Sequence, residues 1–175
     1  MIAKTKQLIL VMISVVLSGC LSIPDGVEPV SNFDVNRYLG KWYEIARLDH
    51  SFERGLERVT AEYSRRGDGG IKVINRGYSV AKDEWKQSEG KAYFVDAEDR
   101  GFLKVSFFGP FYGSYVVFEL AEDYSHAFIA GPDLSYLWLL ARTPEVSKEV
   151  MDQFKAISSE LGFDVESLIW VNHGE

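Results

Sequence analysis

Cysteine is nearly absent from this chain. Cys20 is the only one in 175 residues, so no internal disulfide can staple the fold. Histidine is scarce too. His50, His126 and His173 fall in no metal-ligand spacing, and there is no H-E-x-x-H helix. A G-x-S-x-G nucleophile elbow is missing. Gly67-Asp68-Gly69-Gly70 reads as a hairpin turn and not as a phosphate loop, and the acids Asp96, Glu98 and Asp99 read as a solvated turn. These absences argue against an enzyme, and neither a metal nor a cofactor is expected. Basic charge is also short, with 19 Lys and Arg against 26 Asp and Glu. A nucleic-acid partner would need a basic face, so none is expected, and the same balance argues against a polybasic membrane patch. Finally, no apolar run reaches the roughly 20 residues that a membrane-spanning helix requires.

The apolar run that does exist is Leu8 to Leu17 (LILVMISVVL), preceded by Lys4 and Lys6 and followed by Ser18 and Gly19. That order is a secretory signal, residues 1–19, to be set apart from the fold. It ends in Leu17-Ser18-Gly19-Cys20, which resembles the lipobox of bacterial lipoproteins. The resemblance implies cleavage before Cys20, a diacylglycerol on its thiol and an acyl group on the new amine. One acyl chain holds a membrane marginally, whereas two or more hold it stably. Leu21, where an Asp would be a retention mark, implies transfer to the outer membrane with the folded part in the periplasm. Residues 20–31, rich in Pro and Gly, read as a lipidated tether ahead of a single domain over 32–175.

From Val59 the hydrophobic period is two. "VTAEYSRR", "IKVINRGYS", "GKAYFVDA", "FLKVSFFG", "SYVVFEL", "HAFIAG" and "YLWLLA" are separated by turn signals, and "KWYEIAR" precedes them. Eight short strands at near-regular spacing predict an all-β sandwich or barrel. After Thr143 and Pro144 the spacing changes. Val146, Val150, Phe154, Ile157 and Leu161 share one helical face, with Thr143 as expected N-cap and Gly162 as stop. "LIWV" at 168–171 reads as a last short strand.

Three motifs occur in order. Gly40-Lys41-Trp42 follows Asn32-Phe33-Asp34, "YSHAFIAGPD" lies in the middle, and Tyr136-Leu137-Trp138 leads to Arg142. Together they resemble the lipocalin family, and in particular its bacterial lipoprotein members. The resemblance implies an eight-stranded antiparallel up-and-down calyx barrel with one C-terminal α-helix packed outside. It also implies that Gly40, Trp42 and Arg142 close one end, the guanidinium stacked on the indole, a contact worth about 0.5–2 kcal/mol.

Such a barrel is wide enough for one small ligand. If Glu62, Lys72, Arg76, Lys104 and Glu119 face water, alternation turns Tyr63, Val73, Asn75, Leu103, Val105, Phe107 and Phe118 inward. Tyr136 and Trp138 share the inner face with Arg142. The expected lumen is aromatic and aliphatic with Asn75 as its one polar amide. Burial of an acyl chain of about sixteen carbons gains on the order of 12 kcal/mol before association costs. A fatty acid or lysophospholipid is the expected ligand, and the family resemblance adds a role in membrane maintenance. The competing expectation is a structural envelope lipoprotein whose barrel is simply filled. Pairing of two barrels into a homodimer is left open.

Overall fold

Alternation along the strands carries through to a closed sheet. The computed structural model describes residues 21–174. The expected leader, 1–19, and the expected acylation site, Cys20, lie outside the described residues. A short helix α1 (Val35–Tyr38) precedes β1 (Gly40–Arg47), β2 (Leu56–Arg65), β3 (Ile71–Ser79), β4 (Glu84–Phe94), β5 (Phe102–Ser106), β6 (Gly113–Leu120), β7 (His126–Ala130) and β8 (Leu137–Ala141). Each strand pairs antiparallel with the next, and β1 pairs with both β2 and β8, which closes an eight-stranded up-and-down barrel. Helix α2 (Lys148–Glu160) lies outside, and β9 (Ile169–Trp170) adds to β1 at Ala46 and Arg47.

Two apolar clusters follow from the alternation. The inner one includes Trp42, Ala61, Tyr63, Val73, Leu103, Val117, Ile129 and Leu140. The outer one holds Val116, Phe118, Phe128, Leu139 and Phe154, covered by Val150, Ile157 and Leu161 of α2. The helical spacing read from the sequence is therefore the packed stripe. The start of the helix differs from expectation. Thr143 donates to the carbonyl of Glu145 in a local turn, and Ser147 is the N-cap, accepting from the amide of Val150. The end is as expected. Gly162, at φ +91°, takes the left-handed position past the helix, and the amides of Gly162 and Phe163 bond to Ser159 and Ser158.

Strand β4 begins at Glu84, well before the "GKAYFVDA" segment. Its first six residues, Glu84 to Glu89, are all exposed, so no in-out alternation marks them in the sequence. Residues 21–31 also depart from the spacer reading. Val27 is 4% exposed in the outer cluster, the Val30 amide donates to the Val117 carbonyl at 2.9 Å, and Ser31 bridges Arg100. This segment is a strap along the barrel wall.

Candidate functional site

The closed end is built by α1 and the first turn of β1. Asp34 caps α1 by accepting from the Asn36 amide, and its own amide donates to the Tyr124 hydroxyl at 2.8 Å. Trp42 is fully buried, and its indole N–H donates to the Tyr38 carbonyl at 2.8 Å. The Arg142 guanidinium lies 3.9 Å from the Trp42 ring centroid and donates to the carbonyls of Lys41 and Arg37. Gly40 adopts φ +93°, and a Cβ there would sit 3.5 Å from Arg142 Nη1. Gly40, Trp42 and Arg142, the residues expected to close the barrel, thus lie together at this end.

Above the plug the lumen is apolar with one hydroxyl cluster. Tyr115 shares hydrogen bonds with Tyr38 at 2.7 Å and Tyr63 at 2.9 Å. Burial raises all three phenols, Tyr63 to about 12, so they stay neutral. Val73 and Leu103 are buried in the inner cluster, with Val105, Phe107 and Trp138 packed at its edge. Asn75 pairs with inward-facing Ala61, and its carbonyl oxygen is buried without a partner.

Toward the open end the lumen is polar, which the expected aromatic and aliphatic lining did not include. Arg47 is 1% exposed and donates to Glu44 at 2.7 Å and to the carbonyls of Glu53 and Leu56. The Trp138 indole donates to the Glu53 carboxylate at 2.9 Å. Desolvation raises the carboxyl of Glu44 well above its ordinary range, with the Glu53 charge adding to it, and desolvation raises Glu53 too. Both carboxyls therefore bind a proton more tightly than free glutamates do. At the mouth, His50 stacks on Tyr136 at 4.0 Å and on Phe52 at 5.2 Å, and burial lowers its pKa so that the ring is neutral.

One expected lining residue is misplaced. Phe118 faces α2, its ring 6.1 Å from Phe128 and 6.2 Å from Phe163. The cause is a β-bulge on β6, where Val117 pairs with Ile129 but Glu119 with Phe128. The extra residue puts Phe118 and Glu119 on the same outer face, so a water-facing Glu119 does not turn Phe118 inward. A second bulge, between Glu44 and Ala46 on β1, turns Ile45 and Ala46 both outward and brings Arg47 in opposite Trp138. Tyr38, Tyr115, Glu44, Arg47 and Glu53 escaped the sequence reading. Of these, Tyr115 was legible, since it alternates with the outward-facing Val116.

A lipocalin-like domain model matches residues 33–173. The chain is 62% identical over 167 residues to outer membrane lipoprotein Blc of Vibrio cholerae, covering 95% of this chain and 98% of that protein. It is 60% identical over 148 residues to outer membrane lipoprotein Blc of Escherichia coli K12, covering 85% and 84%. Bovine (Bos taurus) apolipoprotein D is 33% identical over 145 residues, covering 78% and 75%. Among solved structures, insecticyanin from the tobacco hornworm Manduca sexta superposes with a TM-score of 0.68 at 22% identity, covering 88% of each chain, a likeness of fold.

Proposed function

The chain belongs to the lipocalin family, and from that premise we propose that it takes up single-chain lipids, fatty acids or lysophospholipids, in its barrel, for membrane maintenance. It is a lipid-binding lipoprotein of the bacterial envelope, and its place is the outer membrane. The acyl anchor belongs on Cys20, with the barrel in the periplasm. The observation that supports the ligand class is the graded inner face. Tyr63, Val73, Leu103, Val105 and Phe107 offer an apolar sleeve for an acyl chain. Above it, the unpartnered Asn75 oxygen and the Glu44–Arg47–Glu53 group offer polar partners to a headgroup near the mouth. Trp138 and Tyr136 line that transition. The role is binding and not catalysis, with no cofactor.

The test is native purification of residues 21–175 followed by mass spectrometry of what comes out with the protein. One stoichiometric fatty acid or lysophospholipid is expected, and its removal and return should change Trp138 emission, a response absent in Trp138→Phe. An empty protein that ignores added lipid would favour the filled structural barrel instead.

A further inference from the structure

Apolar side chains are left exposed at one end of the molecule. Among the described residues, Phe52 (63% exposed), Val80, Trp85, Phe108 (80%), Phe111 (78%) and Leu134 are large hydrophobics in contact with solvent. All six belong to the four connections at the open end: β1–β2, β3–β4 with the first residues of β4, β5–β6 and β7–β8. The closed-end connections contribute none of them. Trp170, the other exposed large hydrophobic, lies on β9 beside the Lys155 ammonium. Exposed apolar side chains gathered around a mouth mark an interaction surface.

The strap says what that surface meets. It starts at the open end, where the Ser22 hydroxyl donates to the Pro132 carbonyl in the β7–β8 connection at 2.7 Å. Leu21 and Ile23 pack on the outer cluster, and Gly26 lies against Leu161 near the end of α2. The strap then runs to the closed end, where Ser31 bridges Arg100 and the Phe33 amide donates to the Asp99 carbonyl. Residues 21–31 are thus spent along the wall and leave no slack at the anchor. Two peptide units bound the distance from the Cys20 Cα to that of Ser22 at about 7.6 Å. An acyl anchor on Cys20 therefore enters the bilayer beside the mouth.

We propose that the barrel docks mouth-down on the leaflet that holds its own anchor, with Phe52, Phe108, Phe111 and Trp85 inserted among the headgroups, so that lipid passes between leaflet and lumen without crossing water. This rests on the acylated-Cys20, lipid-carrying reading above. The chain is acidic, at a formal −7, so attraction to anionic lipid does not hold the rim down. The tether sets the distance and the aromatic side chains set the orientation.

The experiment uses the full lipidated chain in vesicles of phosphatidylethanolamine and phosphatidylglycerol carrying nitroxide-labelled lipid. A fluorescent probe is placed on Phe108→Cys at the rim or on Gly67→Cys at the closed end, where an added side chain meets nothing within 4 Å. Quenching at position 108 but not at 67 is expected. Equal quenching, or stronger quenching at 67, overturns the orientation. Shielding of position 108 without vesicles, together with a dimer in sedimentation, assigns the rim to a second copy and also overturns it. The mass of the N-terminal peptide reports acylation separately, so a bare Cys20 counts against the anchor while the probes still score the docking. In addition, Phe108→Ser with Phe111→Ser should leave lysophospholipid affinity in solution unchanged. The same pair should slow uptake of a fluorescent lysophospholipid from vesicles by about tenfold. Uptake at the original rate rejects the proposal.

Discussion

Replacing Glu53 with Gln should make the folded protein less sensitive to pH. Glu44 and Glu53 are both buried beside Arg47, and burial raises both carboxyls, Glu44 the more strongly. A carboxyl that stays protonated in the folded state above its unfolded pKa binds more protons folded than unfolded. The stability it contributes is fully present below the ordinary Glu value of 4.5 and is lost as pH rises toward the raised folded value. Each pH unit within that window removes up to about 1.4 kcal/mol per retained proton. In Glu53→Gln the amide oxygen still accepts from the Trp138 indole, and the amide N–H can donate to Glu44, which lowers the Glu44 carboxyl toward its ordinary value while burial still holds it up. The variant should therefore show a shallower downward slope above pH 4.5, the part due to burial of Glu44 remaining, and exceed the parent in stability at pH 8. Urea midpoints measured from pH 5 to 8 at fixed ionic strength provide the check. Parallel profiles for parent and variant would refute a contribution of Glu53 to the slope, and a variant less stable at pH 8 would show that the negative charge on Glu53 holds Arg47 in place.

Phe118→Ala should cost about 3–5 kcal/mol, the usual loss for a buried phenylalanine, and lower Tm by on the order of 10 °C. Lipid affinity should not change, because Phe118 packs between Phe128 and Phe163; calorimetry showing weakened lipid binding without loss of Tm would return the ring to the lumen. Arg142→Met should remove the stack on Trp42 and the bonds to Arg37 and Lys41, at about 1–3 kcal/mol given its partial exposure. Amide exchange should then quicken over Arg37 to Lys41, and unchanged exchange there would deny Arg142 its closing role.

Period-two alternation revealed the strands, and Val146, Val150, Phe154, Ile157 and Leu161 revealed α2, because those patterns are consequences of burial on one side; the choice of barrel over sandwich came from the family resemblance. Where one-sided burial is missing, the reading failed. Glu84 to Glu89 form a strand with every side chain in solvent, so nothing repeats every second residue. Leu21 to Ser31 looked like a spacer because Pro24, Gly26 and Pro29 break regular structure, yet an irregular strap can still bury Val27. Thr143-Pro144 matched a helix start as well as Ser147 does, but Thr143 turns its hydroxyl to the Glu145 carbonyl and Ser147 caps the Val150 amide. Gly40, Trp42 and Arg142 were picked out by the family resemblance, since no local pattern links two residues a hundred positions apart.

The candidate site was harder to read for a reason that lies in the bulges. Inferring the lumen from charge assumes that a charged residue faces water and that its neighbours alternate with it. Each bulge breaks the second assumption, and the one on β1 breaks the first as well. With regular pleating from Trp42, the inner residues of β1 would be Glu44 and Ala46, and Arg47 would face out opposite Leu137. The extra residue instead sets Arg47 opposite Trp138, within 2.7 Å of Glu44 and beneath the Glu53 carbonyl. One inserted residue thus sets a guanidinium beside the inward carboxyl of Glu44, where regular pleating would have set the methyl of Ala46. An isolated charge could not persist at 1% exposure. Glu44 from the same strand and Glu53 from the next connection make it tenable, and the raised carboxyls are the measure of how dry that corner is. A strand that kept its alternation would leave Glu44 in the upper lumen without the cation beside it. The bulge therefore joins the fold to the chemistry of the mouth, and the pH profile of Glu53→Gln probes that join directly.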